Sequence, residues 1–155
     1  MPPLRKVPGI SRGAYRDAHR AMFAAAADLK VPFTYHADLT LHADFVAECL
    51  QAHPRLRVNI PHFGFSRRSM AAMLDRYPAV MTDISSLGPF MDKDPAAYRD
   101  FINAYPDRVM LGSDVIASYD MRPAMEYAQR VRLLDLAPSV AAGVLAENAR
   151  RYLNG

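Results

Sequence analysis

The chain has 155 residues, 51% of them hydrophobic and 23% charged, which is the composition of one globular domain able to bury a core. Its net charge of +3 comes from basic residues spread along the sequence, without a basic, aromatic-rich stripe, and this disfavours nucleic-acid binding. There is no apolar run of the ~18 residues that cross a bilayer, no apolar segment behind the basic start, and one cysteine, so we expect a cytoplasmic protein without a membrane span, secretory signal or internal disulfide.

Helical and strand-like segments alternate along the chain. Residues 1–12 are predicted to be an irregular, proline-rich lead-in, and residues 13–155 one domain. Four apolar runs are typical of strands: VPFTYHAD (31–38), RVNIPHFG (57–64), AVMTDIS (79–85) and RVMLGSD (108–114). Apolar residues at helical spacing predict helices from Ala14 to about Leu29, from about 39 to His53, and over 66–77, 95–105, 121–134 and 139–153, the last with Ser139 as N-cap. The stretch through Gly88 and Pro89 is predicted to be a loop.

The alternation of strands with helices indicates the fold class. Strands separated by helices of 10 to 15 residues form βαβ units, whose strands lie parallel in one sheet. These strands are apolar on both faces, as expected for parallel strands covered by helices. We therefore predict an α/β fold.

Polar residues that can do chemistry stand at the carboxyl end of each predicted strand. His36 and Asp38 follow the first strand, His62 the second, Asp83 the third and Asp114 the fourth. Active sites of parallel α/β proteins lie beyond this edge of the sheet. Imidazole and carboxylate groups that meet there favour a site for a divalent metal such as zinc, iron or manganese.

The residues at the strand ends differ in how strongly they indicate a functional role. Taken together, His36, His62 and Asp114 indicate a site, whereas Asp83 is more typical of a structural carboxylate. Arg67 and Arg68 could clamp a substrate carboxylate, but we favour an exposed first helical turn. Glycine-rich nucleotide loops, the G-x-S-x-G elbow and C-x-x-C pairs are all missing from the sequence.

Five segments in order, FTYHAD, NIPHFG, TDIS, PDRVMLGSD and ENARRYL, resemble the metal-dependent amidohydrolase superfamily over residues 13–155. The most similar branch is the amidohydrolase-related group, which includes decarboxylases of the aminocarboxymuconate-semialdehyde type. The resemblance implies the C-terminal half of a (β/α)8 barrel, with strands five to eight and the closing helices. It implies that His36 and Asp114 bind a divalent metal ion, with zinc as the first candidate. Asp114 would also transfer protons, and His62 would bind substrate and assist the chemistry, or bind a second metal.

The same resemblance implies that part of the site lies outside this sequence. The family's first strand supplies a His-x-His pair, but the five histidines here stand at 19, 36, 42, 53 and 62. Segment LRKV near the start matches at most part of strand four, and a full barrel takes about 250 residues. The chain could be a fragment of a longer enzyme, one of two separately encoded halves, or a half-barrel that has lost catalysis. Self-association would duplicate His36 and Asp114 without supplying the pair, and we favour a fragment.

Three functions remain open from the sequence. The first is hydrolysis of an amide, ester or lactone of a small-molecule substrate by a metal-bound water. The second is metal-dependent, non-oxidative decarboxylation of an aromatic or unsaturated carboxylic acid. The third is a non-catalytic module that pairs through its sheet edges.

Overall fold

The computed structural model describes residues 9–114 and 122–155, and its centre is a four-stranded parallel sheet. The strands are β1 (Phe33–Thr34), β2 (Val58–Ile60), β3 (Val80–Asp83) and β4 (Val109–Met110), in the order β1-β2-β3-β4. Each strand pairs in parallel with the next one along the chain. The predicted α/β class is therefore confirmed. The strands are shorter than the apolar runs predicted: β1, β2 and β4 end before His36, His62 and Asp114, whereas β3 still includes Asp83.

Helices connect the strands and close the chain. They are α1 (Arg12–Asp28), α2 (Leu39–Ala52), α3 (Arg67–Arg76), α4 (Gly88–Lys93), α5 (Pro95–Ala104), α6 (Arg122–Leu133), α7 (Pro138–Ala142) and α8 (Asn148–Asn154), with a π-helical turn (Gly143–Glu147) between the last two. None of these described helices is long and apolar enough to cross a membrane.

Two local predictions are wrong, and both involve a proline that begins a helix. The stretch through Gly88 and Pro89 forms α4 rather than a loop, since proline suits the first turn, where its missing N–H has no partner to lose. At α7 the N-cap is Ala137 rather than Ser139, because Pro138 already occupies the first turn. Residues 1–8, which include LRKV, and the start of the helix predicted at 121 lie outside the described residues.

Polar caps fix where the helices begin after β1 and β2. The Asp38 carboxylate accepts a hydrogen bond of 2.8 Å from the Thr40 N–H, and the Ser66 hydroxyl accepts one of 3.2 Å from the Ser69 N–H. Asp38 is thus occupied as the N-cap of α2. These caps anchor the segments that carry His36 and His62.

The two faces of the sheet have different chemistry. Side chains alternate along a strand, so Val58, Ile60, Val80 and Val109 share one face, and all four are fully buried in the main core beneath the helices. The opposite face carries Asn59, Met81, Asp83 and Met110. Tyr152 and Ala149 of α8 pack against the two methionines on this second face.

The ENARRYL segment secures the last strand. The side-chain amide of Asn148, which is fully buried, donates hydrogen bonds of 2.8 Å to the Pro106 carbonyl and 2.7 Å to the Val109 carbonyl. The N–H of Leu111, just beyond β4, donates to the Val144 carbonyl in the π-helical turn at 2.8 Å. The outer edge of β4 is therefore held by the closing helices.

Candidate active site

A left-handed turn, His62–Phe65, follows β2 at the carboxyl edge of the sheet. All four residues have φ between 51° and 63°, and the Gly64 N–H closes the turn on the Pro61 carbonyl at 2.8 Å. This conformation costs roughly 1–2 kcal/mol for each residue other than glycine. The turn packs closely against α2, since a Cβ on Gly64 would lie 2.5 Å from the side chain of Leu39. Strain of this kind is characteristic of functional sites.

The turn directs its side chains to two places. Phe63, 1% exposed, enters the core and stacks on Phe101 of α5 with 4.3 Å between ring centroids. His62 is buried and lies on the other side, 5.6 Å from the half-exposed ring of Phe65. One irregular segment thus contacts both the helix layer and the carboxyl edge of the sheet, called here the mouth of the sheet.

The carboxylate of Asp83 gathers the surrounding polar groups. It accepts hydrogen bonds from the side-chain amide of Asn59 at 2.8 Å, from the N–H of Ser85 at 3.0 Å and from the N–H of His62 at 3.4 Å. The hydroxyl of Ser85 also donates to it. Four donors around one buried carboxylate give Asp83 a structural role, as its sequence position indicated.

The same network orients the imidazole of His62. Its Nδ1 lies 2.7 Å from the carbonyl oxygen of Ser85 and 2.9 Å from the hydroxyl of that residue. A carbonyl only accepts, and the Ser85 hydroxyl proton is already committed to Asp83, so the ring proton belongs on Nδ1. In the neutral ring this tautomer leaves Nε2 with a lone pair that can bind a metal or accept a proton.

His36 meets His62 at the mouth of the sheet. The ring centroids are 5.2 Å apart in an edge-to-face arrangement, and the ring of Phe65 lies 5.3 Å from His36. Partial desolvation lowers the pKa of His36, the His62 ring lowers it further, and the negative charge of Asp114 acts in the opposite direction. His36 is therefore biased toward the neutral form that a metal ligand needs.

Asp114 reaches the same edge after β4. Its backbone is left-handed, with φ of 56°, and its carboxylate accepts a 2.7 Å hydrogen bond from the hydroxyl of Ser86, which also has a positive φ. Gly112 allows this approach, since a Cβ there would lie 3.0 Å from Ser85 and 3.1 Å from Asp83. The glycine that ends the apolar run thus leaves room for the close approach of Asp83 and Ser85.

The donors at this edge suit a divalent ion in kind but not in number. His36, His62 and Asp114 offer imidazole and carboxylate ligands, which zinc accepts. However, within residues 9–114 and 122–155 no three His, Cys, Asp or Glu side chains are arranged so that they could hold a metal ion. The described residues therefore supply an incomplete set of ligands.

The two arginines at the start of α3 differ in their surroundings. The guanidinium of Arg67 lies 4.8 Å from the ring centroid of Tyr98 and 3.6 Å from the carboxylate of Asp94. Arg68 is exposed in the first helical turn. Arg67 is engaged by α5 and its cap, and a contact of either arginine with substrate stays a prediction.

Sequence reasoning missed four residues of this site: Asn59, Phe65, Ser85 and Ser86. Asn59 and the two serines are small or neutral polar residues, which commonly serve turns and give no signal of their own. Phe65 falls between the second strand segment (57–64) and the helix predicted over 66–77, and a single apolar residue there gives no signal of its own. Only the positions of Ser85 and Ser86 after a strand could have drawn attention to them.

Comparisons with known proteins agree with this architecture. A protein-family model described as Amidohydrolase matches residues 4–155. Among solved structures, the chain resembles an uncharacterized TIM-barrel protein from Bordetella bronchiseptica, with a TM-score of 0.66 and 18% sequence identity. That match covers 85% of this chain and 48% of the other, so the chain spans about half the length of that barrel. The predicted half-barrel fold is thereby confirmed. A search of curated proteins found no match.

Proposed function

Because the chain belongs to the amidohydrolase family, we propose that it carries the C-terminal half of the active site of a metal-dependent hydrolase. The substrate class would be an amide, ester or lactone. The observation that supports the proposal most strongly is the contact between His36 and His62, 5.2 Å apart, at the edge of the sheet that Asp114 also reaches.

The three residues would have separate tasks. His36 and Asp114 would be the ligands that this half gives to a divalent ion, with zinc as the first candidate and the remaining ligands lying outside the described residues. Such an ion supplies an acidified water and polarises a carbonyl oxygen. Ser86 would fix the orientation of the Asp114 carboxylate through the 2.7 Å hydrogen bond.

His62 would act on the substrate. The contacts of Nδ1 with Ser85 hold the ring in one orientation and leave Nε2 as a hydrogen-bond acceptor. In that state His62 can take a proton during attack on the carbonyl and return it to the leaving group. Phe65 lies against both imidazole rings, with its ring centroid 5.3 Å from that of His36 and 5.6 Å from that of His62.

Metal content tests the ligand assignment. Untagged protein purified without chelator is measured by elemental mass spectrometry, beside His36→Ala, Asp114→Ala and the control His42→Ala on α2. We expect bound zinc, iron or manganese in the wild type and the control, and a loss of at least tenfold in the two ligand variants, the scale on which metal-site losses are seen. Equal metal content in a ligand variant would remove that residue from the site.

Turnover separates the alternative reactions. A panel of esters, lactones and amides is assayed together with carbon dioxide release from aromatic and unsaturated carboxylic acids. Metal-dependent hydrolysis that His62→Ala reduces by a factor of roughly 10²–10⁴ supports the proposal. Release of carbon dioxide instead would mean that the reaction is decarboxylation and not hydrolysis. A folded chain that stays metal-free and inactive even together with a unit supplying the missing strands would favour the non-catalytic pairing module.

We further propose that the partner completing the site is a unit supplying the remaining barrel strands, not a second copy. Within the described residues β1 pairs only with β2, so its other edge is available for a parallel strand. A second copy would repeat His36 and Asp114 without adding new ligand types. Analytical ultracentrifugation tests this: a dimer holding one metal ion per chain would favour self-association instead.

A further inference from the structure

The ring of Phe65 stands at the mouth of the sheet with 54% of the residue exposed. Large apolar side chains gain free energy when they leave water, and Phe63, two residues earlier, is 1% exposed in the core. The left-handed backbone of the turn is itself unfavourable for phenylalanine. Neither core packing nor local backbone preference therefore explains why Phe65 is held here.

The geometry of the turn explains how the ring reaches the two histidines. In a turn with three residues per repeat, the side chains at positions i and i+3 lie above one another. His62 and Phe65 have this spacing, and their ring centroids are 5.6 Å apart. The edge-to-face contact with His36, 5.3 Å away at 78°, fixes the other side of the ring.

The ring contacts both imidazoles and still leaves much of its surface in water. Aromatic rings pair favourably with other planar groups, beyond the burial of apolar area, when they stack with an offset or meet edge to face. A substrate group in contact with His62 would lie next to this surface, because the two ring centroids are 5.6 Å apart.

We propose that Phe65 is a specificity-determining residue, whose exposed surface binds a planar, apolar group of the substrate beside His36 and His62. The proposal rests on the proposed function for the identity of the site as a substrate site. It narrows the substrates to those with a ring or conjugated group next to the reacting carbonyl. Compounds with only small aliphatic groups there would bind less well.

Binding of two simple probes tests the proposal without requiring turnover. The affinities of benzoate and acetate for the intact chain are measured by NMR titration. Because both probes carry a carboxylate, the ratio of the two affinities cancels the contribution of that group to binding. We expect the wild type to prefer benzoate. In Phe65→Ala this preference should fall roughly threefold to tenfold, the range that corresponds to loss of one aromatic pair. Phe65→Tyr should retain it, and Phe65→Leu, which keeps an apolar but not a planar side chain, should lose part of it.

Phe90→Ala is the matched control. Phe90 is 60% exposed in α4, and within the described residues its ring forms no aromatic pair with a histidine. The preference for benzoate should survive this change. Equal affinities of the wild type for benzoate and acetate would overturn the role of Phe65. An unchanged ratio of the two affinities in a folded Phe65→Ala protein would overturn it as well.

The two proposals can fail separately. If the chain binds no metal and hydrolyses nothing, but benzoate preference depends on Phe65, only the hydrolase function is lost. If hydrolysis occurs and Phe65→Ala changes kcat/KM equally for phenyl and methyl substrates, only the specificity role is lost.

Discussion

Several residues of the candidate site have backbone dihedral angles that are unfavourable for their residue types. His62, Ser86 and Asp114, after three successive strands, all have positive φ, a conformation that side chains with a Cβ avoid. Each is held by contacts with other segments: His62 with Ser85, and Ser86 with Asp114. The site is therefore built by tertiary contacts, which hold its backbone in place.

Gly64→Ala tests this at the residue scale. A Cβ at this position would require φ of 53° and would lie 2.5 Å from Leu39, so we expect a loss of about 2–4 kcal/mol in the free energy of unfolding. Gly13→Ala, in the first turn of α1 with 3.8 Å to its nearest neighbour, is the control and should be neutral or stabilising by up to about 1 kcal/mol. Urea denaturation measures both. A Gly64→Ala protein as stable as the wild type would contradict the described turn.

The residue scale also shows how far the sequence could predict the site. His36, His62 and Asp114 could be placed near one another from sequence because residues at the ends of parallel strands meet at one edge of the sheet, and their role in a functional site stays a prediction. Ser85, Ser86 and Phe65 were not recognisable, since their roles depend on contacts between segments more than 20 residues apart in sequence. Asp83 also stands at a strand end, and its structural interpretation came instead from the tendency of Asp to cap helices and close turns.

At the scale of elements, α1 and α8 hold the sheet from different sides. The Tyr35 hydroxyl next to β1 lies 2.9 Å from His19 Nδ1 on α1, and Asn148 ties α8 to the segment around β4. Element positions were predictable from the periodicity of apolar residues. The short strands and α4 were not, because the departure of the chain from the sheet depends on partners distant in sequence.

The contact of α1 with β1 should make stability depend on pH. Desolvation lowers the pKa of His19, so the folded state favours its neutral form. This contribution is present above the unfolded pKa of about 6.5 and is lost as the pH falls through the lower folded value. We expect the free energy of unfolding to decrease below about pH 6.5, and to decrease less steeply in His19→Gln, measured by urea denaturation across pH. His42→Gln should retain the wild-type slope, and an unchanged slope in His19→Gln would contradict this linkage.

The attachment of α8 can be tested through Asn148. Asn148→Ala removes two donors from the carbonyls of Pro106 and Val109 next to β4, and we expect a loss of about 1–3 kcal/mol in the free energy of unfolding. Asn154→Ala, at the exposed end of the same helix, should change it by less than about 0.5 kcal/mol. Thermal and urea unfolding compare the two variants. Equal stabilities would mean that other contacts of α8, such as the ion pair of Arg151 with Asp107, are enough to hold it.

At the scale of the molecule, one continuous core joins α1, the sheet and the closing helices. It extends from Phe23 on α1 through Val58 and Val80 to Val131 on α6 and Val144. We expect the chain to unfold in a single cooperative transition, with coincident midpoints by circular dichroism and by tyrosine fluorescence. Separate midpoints would show that the half-barrel consists of independently stable parts.

The left-handed turn has a further consequence, for the order of events in folding. A segment whose backbone is disfavoured in isolation gains nothing by forming before Leu39 and Phe101 are in place around it. Contacts made by His62 and Phe65 should therefore be absent from the folding transition state. Substitutions of these residues should then give kinetic phi-values near zero, meaning that the loss of stability does not appear in the folding rate. Substitutions there would accelerate unfolding and leave the folding rate unchanged. The residues of this turn could then vary without slowing the folding of the protein.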